Sequence, residues 1–295
     1  MDTVFESRGV EVDSAKLEVF VGRSSGPPLC TTHPFAPPQG NTPETLQSSP
    51  YIRALASAGQ LVVVNPRGTG RSSAIRSPQD LTMQLLADDL EAVRKALGFE
   101  RWAVVGGSSG GQVALLHALA YPDALNALVL FTIGPVGLAV LESSEALGSP
   151  SHPTYAGSAG SAHLEVEASA LGGSAAEWRQ LRPDLWSYWE DGRPVLMLPR
   201  PRAGPPPLRH RAALEEFGAI DVEGRLQAIR APTLVFCARH DALIPPVECE
   251  RLRGIPGAQV VVLESSGHAL EEIDVVGTHL RAFIAARSNS ARPRQ

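Results

Sequence analysis

The sequence is poor in lysine. Lys16 and Lys95 are the only two in 295 residues, so nearly all of its positive charge is arginine, and the formal net charge is −5. We read the lysine shortage as compositional bias without functional content. The negative balance argues against a nucleic-acid binder, which presents a basic face. Cysteine is also scarce. Cys30, Cys237 and Cys249 form no CxxC pair and leave at least one thiol unpaired. Cys30 and Cys237 sit in apolar, strand-like runs, where a reduced buried thiol is expected. No apolar run approaches membrane-spanning length. The N-terminus, "MDTVFESRGVEVD", has neither the basic nor the apolar region of a signal peptide. These absences predict a protein of the reducing cytoplasm with no membrane partner. The histidines show no metal-ligand spacing and no HExxH, so no metal or other cofactor is expected.

What is present is a globular composition, 43% hydrophobic with mean hydropathy −0.03. A chain of this length can bury a core without staples. Strand-like and helix-like runs alternate through the first half. Strands are predicted at 16–22, 27–35, 61–68, 102–107 and within 125–134. A helix is predicted within 43–58, and another over 77–98. In the second, Ser77 serves as cap, Pro78 suits the first turn, and Leu86, Leu90, Val93 and Leu97 form one buried stripe before Gly98 stops it. The rhythm breaks over 136–225, which is rich in Gly, Ser and Pro and holds Trp178, Trp186 and Trp189. It resumes with a strand over 231–241, a helix near 246–253, a strand over 259–268 and a closing helix near 271–287. This order predicts an α/β fold with a mainly parallel sheet and helices on both faces. The core would comprise 1–135 and 226–295, with an inserted cap over 136–225.

The segment "AVVGGSSGGQVALLHALAYP" (103–122) runs from a strand through G-x-S-x-G into a helix. That pattern forces a sharp turn with an exposed serine hydroxyl, and the helix N-terminus aims N–H groups at the same spot. Two registers fit, one centred on Ser108 and one on Ser109. The first sets the serine three residues beyond "WAVV" and leaves Gly111 as a further small residue for helix-to-sheet packing, so Ser108 is preferred. Ser109 would then lend its backbone N–H to an oxyanion hole. A packing turn or a phosphate loop is the alternative; against the phosphate loop, neither here nor in "PRGTGRS" is there a G-x-x-x-x-G-K-[ST].

A serine needs an imidazole to accept its proton, and a carboxylate to fix the tautomer of that imidazole. Asp241 follows the strand in "PTLVFCARHD", and His268 follows the strand in "QVVVLESSGH". The order serine, acid, histidine fits the pattern. Glu142 is the rival acid. Glu264 reads as structural, and His240 as an ordinary loop residue.

With these segments the chain resembles the α/β-hydrolase fold, and it is similar to the branch of esterases, lactonases and proline iminopeptidases. The resemblance spans roughly 10–288. "VNPRGTGRSS" resembles the segment after the fourth strand, with Asn65 where the family commonly has Asp. In "TTHPFAPPQGN", His33 matches the family's His-Gly-x, Pro34 replaces the Gly, and Phe35 falls at x, whose N–H would be the second oxyanion donor. The resemblance implies a Ser108–His268–Asp241 triad and an ester or lactone substrate. A proline-iminopeptidase-like aminopeptidase or amidase and a non-catalytic ligand binder are the alternatives. His33, Trp178, Trp186 and Trp189 are candidates for the pocket of an apolar small-molecule substrate. The tryptophan spacing equally suits a helix's own packing stripe. The oligomeric state is left open.

Overall fold

The computed structural model describes residues 3–34, 39–137, 219–241, 244, 246–268 and 270–288. Eight strands build one sheet: β1 (Phe5–Val12), β2 (Ala15–Gly22), β3 (Pro28–Thr32), β4 (Gln60–Val64), β5 (Trp102–Gly107), β6 (Leu125–Phe131), β7 (Thr233–Ala238) and β8 (Gln259–Leu263). Their order is β1-β2-β4-β3-β5-β6-β7-β8. β1 and β2 are antiparallel to each other, β2 is antiparallel to β4, and every other pair is parallel.

The central strands are apolar on both sides, as a sheet covered on two faces requires. Successive residues feed opposite cores. In β6, Leu128 and Leu130 join one cluster, whereas Ala127, Val129 and Phe131 join the other. The first cluster includes Leu86, Leu90 and Val93 of α3 (Met83–Ala96) and Val113 and Leu115 of α4 (Ser109–Ala120). The second includes Leu46 of α1 (Pro43–Ser48), Ile52 and Leu55 of α2 (Pro50–Ala56), and Val276, Leu280 and Phe283 of the C-terminal helix Ile273–Ser288. Helices therefore cover both faces, as expected.

Several local expectations change. The helix expected within 43–58 is broken in two. Pro50 cannot donate a backbone N–H, and Ser49 caps the second piece by accepting from the Ile52 N–H at 3.3 Å. The helix expected over 77–98 begins as a 3₁₀ turn at Pro78–Leu81, and α3 proper is capped by Thr82, not Ser77. Gly98 ends it with φ +75°, a conformation that favours glycine. β1 answers to no expected strand. It is an edge strand whose buried residues, Phe5 and Val10, are separated by polar ones.

Cys30 is free and buried, as expected. Cys237 is buried but not reduced: it is bonded to Cys249 of α5 (Pro246–Glu250), the short helix after β7. The pairing was hidden because a turn of unknown geometry separates the two cysteines in sequence. It also removes the cysteine argument for a reducing compartment. Among the described residues, no helix is long and apolar enough to cross a membrane.

Most of the expected cap lies outside the described residues, including Trp178, Trp186, Trp189 and Glu142. The base of this excursion is described. Val136 and Asp221 form an antiparallel bridge, flanked by Gly137 N–H to Ile220 O at 2.7 Å and Val222 N–H to Pro135 O at 3.0 Å.

Candidate active site

Ser108 stands between β5 and α4 with φ 49° and ψ −131°. A β-carbon in that left-handed region is strained, and such strain persists only where the surroundings enforce it. Here the glycines enforce it. A Cβ on Gly106 would lie 2.3 Å from the Gly110 carbonyl oxygen, and one on Gly110 would lie 2.5 Å from that of Thr32. A Cβ on Gly111 would come within 2.9 Å of Ile133. Gly106 and Gly110, whose added Cβ would strike backbone, stand at −2 and +2 from Ser108. Ser109 opens α4, so its N–H is among the donors that the helix itself leaves unpaired. Its side chain is fully buried, and its hydroxyl has no hydrogen-bond partner among the described residues.

Asp241 and His268 come together because β7 and β8 keep pairing beyond their ends. Arg239 N–H bonds to Leu263 O at 2.9 Å and His240 N–H to Ser266 O at 2.9 Å. Asp241, one residue beyond His240, and His268, two beyond Ser266, are thereby brought within reach. His268 Nδ1 lies 2.9 Å from Asp241 Oδ2. Asp241 is fully buried, and its Oδ1 accepts the Ile244 N–H at 2.9 Å. The histidine loop is held from below by two carboxylates absent from the sequence reading. Glu272 accepts from the Ser265 N–H at 2.8 Å and the Ser266 hydroxyl at 2.9 Å, and Glu271 accepts from the Gly267 N–H at 2.8 Å. "SSGHALEE" carries that signal, with acidic residues placed to receive the N–H groups of the preceding turn. Glu264 pairs with Arg239 at 2.8 Å and is two-thirds exposed, which fits the structural part expected of it.

Ser108 and His268 line one cavity of about 380 Å³, together with His33, Asn41, Tyr51 and Phe131. In the reacting complex the Ser108 hydroxyl must come within hydrogen-bond reach of His268, a contact that often tightens only with substrate bound. His33 is exposed and lines the cavity, and Pro34 is described beside it. Phe35 lies outside the described residues. Among the described residues, no group of His, Cys, Asp and Glu is placed to hold a metal ion.

The position of Asn65 explains the departure from the family's usual Asp. Asn65 is fully buried. Its amide Nδ2 donates to Glu18 Oε2 at 2.9 Å, and its Oδ1 accepts from Asn41 N–H at 2.8 Å and Asn41 Nδ2 at 2.9 Å. Burial pushes the Glu18 carboxyl up, but hydrogen bonds from Arg71 and Asn65 more than offset this and hold it below the usual carboxylate range. An aspartate at 65 could not donate to Glu18 and would set two carboxylates against each other. We expect Asn65→Asp to destabilise the fold by about 2–4 kcal/mol at neutral pH. The loss should shrink in acid, where the new carboxyl takes up a proton and can donate again. Urea melts at pH 7 and pH 5 test this, and equal midpoints for variant and wild type at both would refute it.

The chain belongs to the alpha/beta hydrolase fold family. The model of that family matches residues 46–272. Among curated proteins, it is 32% identical over 248 residues to a putative carbamate hydrolase RutD of Klebsiella pneumoniae (strain 342), covering 81% of this chain and 86% of the relative. It is 23% identical over 310 residues to a probable proline iminopeptidase of Leptolyngbya boryana, covering 91% and 90%. Among solved structures, an alpha/beta fold family hydrolase from Bacillus anthracis str. Sterne superposes with a TM-score of 0.68 at 19% identity, covering 96% of this chain and 99% of that one.

Proposed function

We propose that this alpha/beta hydrolase cleaves a carboxylic ester or lactone through an acyl-enzyme formed on Ser108. The observation that carries the reading is the His268–Asp241 hydrogen bond on the wall of the cavity that Ser108 enters. Asp241 fixes the proton on Nδ1 of His268, which makes Nε2 the nitrogen that accepts. His268 takes the Ser108 proton as the hydroxyl attacks the carbonyl, then gives it to the departing alcohol. It next draws a proton from water, which attacks the acyl-enzyme, and returns that proton to the Ser108 oxygen as the acid is freed. The N–H of Ser109, with that of Phe35, would stabilise the oxyanion at each tetrahedral stage. The chemistry calls for no cofactor, and the partner is a small, mainly apolar molecule. In this reading residues 136–225 form the cap, entered and left at the Val136–Asp221 bridge.

A second reading is cleavage of a C–N bond by the same three residues. The relatives named as a carbamate hydrolase and a proline iminopeptidase favour it. The apolar wall made by Leu46, Ile52, Phe131 and Leu270 favours an acyl chain over a free amine, which would have to be desolvated against a paired carboxylate. Each buried methylene is worth about 0.8 kcal/mol. We therefore expect kcat/KM to rise from acetyl to butyryl or hexanoyl p-nitrophenyl esters, with little release from prolyl-p-nitroanilide. The panel should include lactones. Fast anilide cleavage with weak ester turnover at every chain length would replace the ester reading with the C–N one.

A further inference from the structure

One wall of the cavity carries hydroxyl groups that the proposed mechanism does not use. Tyr51, on α2, turns into it. Its ring is braced edge-on against Phe131, with centroids 5.5 Å apart and planes at 77°. Its hydroxyl lies 3.6 Å from where a Cβ on Gly107 would sit, and Gly107 directly precedes Ser108. The phenol oxygen is thus about one small side chain from the elbow. The absence of a side chain at Gly107 leaves that space to a ligand.

The hydroxyl of Thr31 is near enough to act on the Tyr51 phenol, and Thr31 lines the same cavity. Two hydroxyls bring two O–H donors. Even a bond between them would use only one. Neither side chain makes a hydrogen bond to any other group among the described residues, so at least one donor of the pair is left over for the cavity. Burial pushes the phenol well up, so it keeps its proton and remains a donor. A plain alkanoyl chain pressed against this pair would expel water and strand that donor, which is unfavourable. A chain with an oxygen at that point would satisfy it. None of the described lining residues is lysine or arginine, so a neutral oxygen suits the wall better than a carboxylate.

We propose that Tyr51, paired with Thr31, is a specificity-determining residue that donates a hydrogen bond to a neutral oxygen on the acyl chain. The substrate class is then an ester or lactone whose acyl part carries an ether, oxo or hydroxyl oxygen a few bonds from the scissile carbonyl. This inference rests on the hydrolase reading above.

The test compares two esters of equal length, p-nitrophenyl 3-methoxypropanoate and p-nitrophenyl pentanoate, which differ by an oxygen in place of one methylene. Each kcat/KM is divided by the rate of spontaneous hydrolysis, and the ether-to-alkyl ratio is taken. Wild type should show a ratio above one. Tyr51→Phe should lower that ratio about tenfold, the size of one hydrogen bond. Thr31→Val should lower it in the same direction, and thermal melts establish that both variants fold. A labelling arm treats wild type with a fluorophosphonate and maps the adduct. If Ser108 is labelled and both esters are turned over, but Tyr51→Phe leaves the ratio unchanged, the hydrogen-bond donor role is overturned and the hydrolase reading stands. If wild type is neither labelled at Ser108 nor active on either ester, both fall.

Discussion

Ser108→Ala should abolish hydrolysis, with kcat falling by roughly four to six orders of magnitude, while Ser109→Ala keeps most of its activity. The neighbouring serines differ in what the turn does with them. Gly106 and Gly110 leave no room for a Cβ beside the turn, and of the two serines Ser108 lines the cavity while Ser109 is buried. The Ser109 side chain is fully buried, so an acylating reagent cannot reach it. The proposed contribution of Ser109 is its backbone N–H, which alanine retains. Its hydroxyl is buried without a partner among the described residues, so removing it should leave stability unchanged or raise it by about 1 kcal/mol. A fluorophosphonate adduct mapped by peptide mass spectrometry tests the assignment directly. An adduct on Ser109, or an active Ser108→Ala, would overturn it.

The elbow could be read from sequence because its constraint is local. A tight strand-to-helix turn needs small residues at fixed offsets, and "GGSSGG" supplies them within one short segment. The alternation of β and α runs was legible for a similar reason, since strands covered on both faces must be apolar throughout, as "LVVV" and "LVLF" are. Features that depend on residues distant in the chain were not legible. β1 is held by register with β2, from Phe5 opposite Gly22 to Val12 opposite Ala15, and its own composition gives little sign of it. The disulfide depends on how α5 folds back along β7. Asn65 looked like a simple departure from the family's Asp. Its reason lies in Glu18, 47 residues earlier, which needs a donor. Tyr51 stood in an unremarked stretch, and only the packing of α2 against Phe131 brings its hydroxyl beside the elbow. Asp241 and His268 fall between these cases. Their order along the chain was visible, whereas the backbone bonds that align their loops were not.

Asp241→Asn should lower kcat by about 10⁴ without unfolding the protein. The expectation comes from which atoms surround the carboxylate. Oδ1 accepts the Ile244 N–H at 2.9 Å, and Oδ2 faces Nδ1 of His268 at 2.9 Å. An asparagine of the same shape has one oxygen and one NH₂. The Ile244 N–H can only donate, so it keeps the amide oxygen on its own side. The NH₂ is then turned toward His268. Facing a donor, Nδ1 must become the acceptor, and the imidazole proton moves to Nε2. That nitrogen can then no longer take the proton from Ser108. The variant should still fold, because its volume is unchanged and the bond to Ile244 survives. Steady-state kinetics beside a thermal melt separates the two effects. A folded Asp241→Asn with near-wild-type turnover, together with an inactive Glu142→Gln, would move the acid to Glu142. If His268 is held by Asp241 alone, Glu142→Gln should leave kcat within a few-fold of wild type, the ordinary range for a substitution that does not alter the tautomer.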